Sequence, residues 1–139
     1  MTIGSFIGGF VKEKIITKAY LKDHPMEVFV FGDNGKRTGY GGAAKLRDCR
    51  NVYGFITQKR PSKEASAHYT IAEYTPIFET ELAKLKKTIE KNPSITYLIS
   101  RVGGGLANKY HIWEEIIQPR IRKELKHYSN VKFLWEEDA

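Results

Sequence analysis

The sequence predicts a single α/β domain, 1–139, in which helices cover both faces of a central sheet to make three layers. Three observations carry the prediction. Residues 28–31 (Val-Phe-Val-Phe) form a continuous apolar run, as expected for a strand buried on both faces. Ile77, Phe78, Leu82, Leu85 and Ile89 fall on one helical stripe. Strand and helix patterns alternate along the chain, and two of the strands run directly into glycine-rich stretches. A chain of 139 residues suits one domain with a real core. It shows no repeat, linker or low-complexity segment.

Residues 13–20 read as a first strand, broken by Asp23-His24-Pro25. Residues 43–50 favour a short helix, and residues 52–56 a strand. Residues 59–74 are polar and aperiodic and read as a long surface loop. Thr75 is expected to N-cap the next helix, with Pro76 in its first turn. Asn92-Pro93 stops that helix. Residues 95–100 read as a strand, and a helix with Trp113, Ile116 and Ile117 on one face follows, kinked or split by Pro119. Residues 131–135 form the closing strand, and the acidic tail at 136–138 is expected to fray.

The net charge is +7, but the basic runs at Lys84/Lys86/Lys87 and Arg120/Arg122/Lys123 share their helices with glutamates and read as solvated faces. One cysteine, Cys49, excludes an internal disulfide and suits a reducing cytoplasm. His24, His68, His111 and His127 share no spacing, read as surface or capping residues, and make no metal cluster with Cys49. No apolar stretch approaches the roughly 20 residues that span a bilayer, and residues 1–10 lack the features of a secretory signal. The expected location is cytoplasmic, with no membrane partner, metal or cofactor.

Chemistry concentrates in the two glycine loops. The first contains Gly32-Asp33-Asn34-Gly35 and Gly39-Tyr40-Gly41-Gly42, and fits neither the Walker loop nor the dinucleotide spacing. Its glycines permit close backbone approach, and free N–H groups entering the next helix would suit a phosphate. Asp33 and Asn34 follow a buried strand and so face the crevice where ligands sit in such sheets; turn chemistry is the competing reading. Tyr40 is placed to cover a ligand or to fold back on the core. The second loop, Gly103-Gly104-Gly105, also follows a strand; it either wraps a diphosphate or packs against the first loop.

Phe55-Ile56-Thr57-Gln58-Lys59-Arg60-Pro61-Ser62 resembles a strand-end segment of macro domains. The closest branch is the one that removes terminal ADP-ribose from protein carboxylates, where the pattern is Ile-Thr-Lys-Lys-Arg-Ala-Ser. Arg101-Val102-Gly103-Gly104-Gly105-Leu106-Ala107 resembles the branch's Arg-Ile-Gly-Cys-Gly-Leu-Asp loop. Trp113-Glu114 resembles its Trp-Glu pair, and Gly39-Tyr40-Gly41-Gly42-Ala43-Ala44 its first glycine loop. The likeness covers roughly residues 27–135. Phe31-Gly32-Asp33-Asn34 instead resembles uncharacterised phage and bacterial proteins, which points to a viral or mobile-element origin, and to the host cytoplasm in the viral case.

The resemblance implies a macro-like mixed central sheet and a site for ADP-ribose, a related NAD-derived nucleotide or an ADP-ribosylated protein. In that branch a lysine attacks the ribose and an aspartate moves the proton. Those positions hold Gln58 and Ala107 here, so the expectation is binding without that hydrolysis. Expected ligand-binding residues are Asp33, Asn34, Tyr40, Gly41 and Gly42 of the first loop, then Thr57 and Gln58. Gly103, Gly104, Gly105 and Leu106 complete the set. Two alternatives stand beside it: a hydrolase with a rearranged site using Asp33 and Lys59, and a nucleic-acid-binding module.

Overall fold

The computed structural model describes residues 6–7, 10–11 and 15–136, with side chains from residue 15 onward. The fold is α/β, as the sequence predicts. Strands β1 (Phe6–Ile7) and β2 (Phe10–Val11) form a small antiparallel pair. The main sheet contains β3 (Glu27–Asn34), β4 (Val52–Gln58), β5 (Thr96–Ile99) and β6 (Val131–Phe133). All four run parallel, in the order β4-β3-β5-β6.

Alternation along the strands builds a core on each face. Val30, Phe55, Tyr97 and Ile99 face one side, where helices α2 (Ile71–Lys91) and α3 (Gln118–Leu125) cover them. Phe29, Phe31 and Leu98 face the other. There the short helix α1 (Lys18–Asp23) supplies Leu21, and a 3-10 turn at Gly42–Leu46 supplies Ala44 and Leu46. Among the described residues no helix is long and apolar enough to cross a membrane.

Several local expectations need correction. Residues 18–20, read as strand, begin α1, because the Thr17 hydroxyl accepts from the Tyr20 N–H and starts a helix; residues 13–14 lie outside the described residues. The helix expected at residues 43–50 is only the 3-10 turn. Helix α2 starts five residues before Pro76, because Thr70 and Glu73 form a reciprocal capping box. Thr75 is therefore not the cap, and Pro76 sits inside the helix. The segment before α2 is not merely a surface loop: Ala67 and His68 are buried. Ahead of α3 the backbone widens into one π turn, Trp113–Ile117, and Pro119 falls in the first turn of α3. Glu136 pairs with Arg122, while residues 137–138 of the tail lie outside the described residues.

Two asparagines placed just before strands tie helix ends to the sheet. Asn51 donates its amide toward the carbonyls of Leu21, His24 and Glu27, and Asn130 toward those of Ile89, Asn92 and Ile95. The edge strand β4 is sealed by α2. Glu81, buried, accepts from the Ile56 N–H at 2.7 Å, and the Tyr74 hydroxyl donates to the Ile56 carbonyl at 2.6 Å. An exposed edge would otherwise template pairing with other chains.

Burial pushes the Tyr74 phenol well above its usual pKa, so it stays a donor. Tyr74→Phe leaves the Ile56 carbonyl unpaired and is expected to destabilise the fold by about 1–3 kcal/mol. Urea denaturation should show a lower midpoint with an unchanged slope.

Candidate functional site

Strands β3 and β5 are neighbours, yet the chain leaves them toward opposite faces. From β3 it passes to the 3-10 turn over one core, and from β5 to α3 over the other. Such divergence opens a crevice at the carboxyl ends of a parallel sheet. A cavity of about 780 Å³ lies there, lined by both glycine loops and by the end of β4. Every expected ligand-binding residue lines it, together with Ala107; Lys59 does not.

The first loop is held by ionic contacts. Asp33, buried at the end of β3, receives two hydrogen bonds from Arg47, at 2.7 and 3.1 Å, and one from Arg37 at 3.1 Å. Arg47 also donates to the carbonyls of Gly39 (2.9 Å) and Thr38 (3.0 Å), and its guanidinium stacks 5.5 Å from the Phe31 ring centre. Arg37 adds a bond to the Gly54 carbonyl at 2.8 Å. Burial by itself would raise the Asp33 pKa. The hydrogen bonds from Arg47, the Asn34 N–H and Arg37 outweigh it and hold the carboxyl below its usual range.

The glycines serve different purposes. A Cβ on Gly54 would lie 2.4 Å from Asp33 Oδ2, so this glycine makes room for the ionic cluster. A Cβ on Gly32 would meet Thr57 Oγ1 at 3.2 Å and Gly103 N at 3.3 Å, which places the second loop directly on β3. Gly103 has φ +79°, and a Cβ there would lie 2.7 Å from Ile117 Cδ1. A Cβ on Gly41 or Gly105 would meet nothing within 4 Å.

Other expected residues are partly committed elsewhere. The Asn34 side chain closes its own turn, accepting from Lys36 N (3.0 Å) and donating to Thr38 O (2.8 Å). Thr57 donates to the Asp33 carbonyl at 3.3 Å, and Gln58 to the Ser62 carbonyl at 2.7 Å. Tyr40 is exposed on the rim, its hydroxyl 3.0 Å from Asp48. The Lys59 ammonium pairs with Glu73 at 3.1 Å, so the structure does not bring Lys59 and Asp33 together.

Five contributors escape the sequence reading. Arg47 and Arg37 lock the first loop. Lys45 and Lys63 join Arg101 in the lining, where Asp33 is the single carboxylate among the described residues. His68, expected at the surface, is buried, with Nδ1 2.8 Å from the Glu64 carbonyl and Nε2 3.1 Å from that of Leu106. It ties the second loop to the segment before α2. An arginine eight residues after Gly39 was the available signal for the first lock; His68 had none, because its partners are backbone atoms.

Asp33→Asn removes a buried charge from between two guanidiniums and is expected to cost about 3 kcal/mol at neutral pH. The native carboxyl is depressed, so its contribution is complete above the unfolded-state pKa of about 4 and is lost as pH falls through the folded value. Wild type and Asp33→Asn should therefore converge in stability as denaturation is repeated at progressively lower pH.

Neither a curated protein nor a solved structure matches the chain. Among the described residues no group of three or more His, Cys, Asp or Glu is placed to hold a metal ion. Residues 11–110 match a family of unknown function, DUF7831, and the chain belongs to that family.

Proposed function

We propose that the cavity binds an ADP-ribose-like, NAD-derived nucleotide and holds it without hydrolysis. The observation that carries this reading is the meeting of both glycine loops in one cavity where β3 and β5 diverge. Its volume of about 780 Å³ falls within the usual span for small-molecule sites, roughly 300–1,000 Å³. No backbone hydrogen bond among the described residues uses the N–H of Gly41, Gly42, Gly105 or Leu106. Those groups, with Lys45, Lys63 and Arg101 around them, suit a diphosphate.

Lysine/aspartate hydrolysis has no support in this cavity. The one lining carboxylate is engaged by two arginines, the lysine candidate faces Glu73, and the positions matched to the macro-domain catalysts are Gln58 and Ala107. A nucleic-acid surface is disfavoured too. Arg120 pairs with Glu79 and Glu124, Lys86 with Glu124, and Arg122 with Glu136, so the basic helix faces are largely neutralised. Among the Phe, Tyr and Trp side chains of the described residues, Tyr40 is the single exposed one.

Calorimetric titration with ADP-ribose, ADP and NAD at two salt concentrations tests the reading. Gly105→Phe is the informative variant, because its side chain enters open space; at Gly104 a Cβ would already lie 3.2 Å from the Arg101 carbonyl. ADP-ribose should bind the wild type, and Gly105→Phe should weaken it at least tenfold, about 1.4 kcal/mol, with an unchanged melting temperature. Equal affinity in the two proteins would sink the assignment.

A further inference from the structure

His68 is 4% exposed, and both of its ring nitrogens face carbonyl oxygens, Nδ1 that of Glu64 at 2.8 Å and Nε2 that of Leu106 at 3.1 Å. A carbonyl only accepts, so the ring makes both bonds with a hydrogen on each nitrogen. The segment that carries His68 is itself fixed to the end of β4. The Lys59 N–H donates to the Ala67 carbonyl at 2.8 Å, and Gln58 and His68 form a single antiparallel bridge.

The bond to Leu106 acts on one particular peptide. Residues 105–108 close a turn through the Asn108 N–H and the Gly105 carbonyl, 3.0 Å apart. The central peptide of such a turn, here between Leu106 and Ala107, is the one that can flip while the turn stays closed. That peptide is trans, so its C=O and N–H point in opposite directions. His68 does not line the cavity, whereas Leu106 and Ala107 do. Holding the Leu106 carbonyl toward His68 therefore turns the Ala107 N–H the other way, toward the cavity. Ala107 is 8% exposed, and no hydrogen bond among the described residues uses its N–H. A buried backbone donor without a partner is rare and costly.

We propose that the Ala107 N–H bonds an anionic oxygen of the ligand, and that His68 is the positioning residue that holds this peptide in its donating orientation. The flipped peptide would present the Leu106 carbonyl to the cavity instead, and a carbonyl oxygen repels an anion. One bond made outside the cavity thus sets whether this stretch of its wall donates or accepts. The inference rests on the nucleotide-binding reading above and names a further contact within the same site.

The test joins calorimetry on the full chain, with ADP-ribose and with inorganic pyrophosphate, to proton–nitrogen NMR of the Ala107 amide. The Ala107 amide proton should move downfield as either probe is added to the wild type. His68→Gln carries an amide nitrogen near the Nε2 position and keeps the bond to Leu106, so it should bind ADP-ribose within about threefold of the wild type. His68→Asn reaches only the Nδ1 position, keeps the bond to Glu64, and should bind about tenfold more weakly. Each variant gives up one carbonyl bond, so their melting temperatures should fall alike, and a purely structural role would weaken binding equally in both. An unmoved Ala107 amide in wild type saturated with ADP-ribose, or equal affinity in the two variants, would overturn the proposal while leaving nucleotide binding intact. Failure of the wild type to bind either probe would overturn the nucleotide reading and this contact together. Binding of pyrophosphate alone, with the Ala107 amide shifted, would support the contact and overturn the nucleotide reading.

Discussion

At the carboxyl end of β3 the Asp33 carboxylate is shared between the guanidiniums of Arg47 and Arg37 and the N–H of Asn34. A carboxylate so far from water is costly unless its oxygens are fully bonded. Here the partners that satisfy it also bind the backbone around it. Arg47 reaches from just past the 3-10 turn to Asp33 and to two loop carbonyls, so one side chain fixes the turn, the loop and the strand together. Arg37 has φ +56°, an unfavourable conformation for a non-glycine residue, and its bonds to Asp33 and the Gly54 carbonyl help offset that strain. Glycine-rich segments are often mobile, but this one is bolted down.

That architecture limits the chemistry. The carboxylate best placed by topology to act on a ligand is committed to holding the loop. It also stays ionised, because its hydrogen bonds depress its pKa. What remains for recognition is backbone N–H groups and the ammoniums of Lys45 and Lys63, since the hydroxyls of Thr57 and Ser100 already donate to the carbonyls of Asp33 and Val30. This inventory favours binding an anion over moving protons. The end of β4 is equally constrained, since Glu81 and Tyr74 fix both polar groups of Ile56 one residue before Thr57.

The fold was largely legible because its signals are periodic. Residues 28–31 read as a doubly buried strand because they are one, and the stripe through Phe78, Leu82, Leu85 and Ile89 marked the inner face of α2. Boundaries failed where a local hydrogen bond outranked pattern. The Thr17 cap turned an apparent strand into helix, and the Thr70/Glu73 box began α2 ahead of the proline taken as its start. The site was legible as two glycine loops at strand ends. Its polarity was not, because Arg47 and His68 act at long range on backbone carbonyls. Asn34 illustrates the limit in one residue: its position lines the cavity, while its side chain closes a turn.

The glycines show how to separate ligand contact from architecture. Glycine is needed at Gly54 by the ionic cluster, at Gly32 by the second loop, and at Gly103 by Ile117 and a positive φ. Each of these has a reason inside the protein. Gly41 and Gly105 have no such neighbour, and neither has a positive φ. Side chains there would meet only the space of the cavity that both residues line. Absence of a side chain where the protein itself does not require it is what a close-fitting backbone cradle would demand. The two glycine loops thus divide their labour within a few residues: Gly103 anchors while Gly105 faces the cavity, and Arg47 holds Gly39 while Gly41 stays open. On the proposed reading, recognition falls to loop positions two residues from an anchor, close enough to be rigid and open enough to meet a ligand.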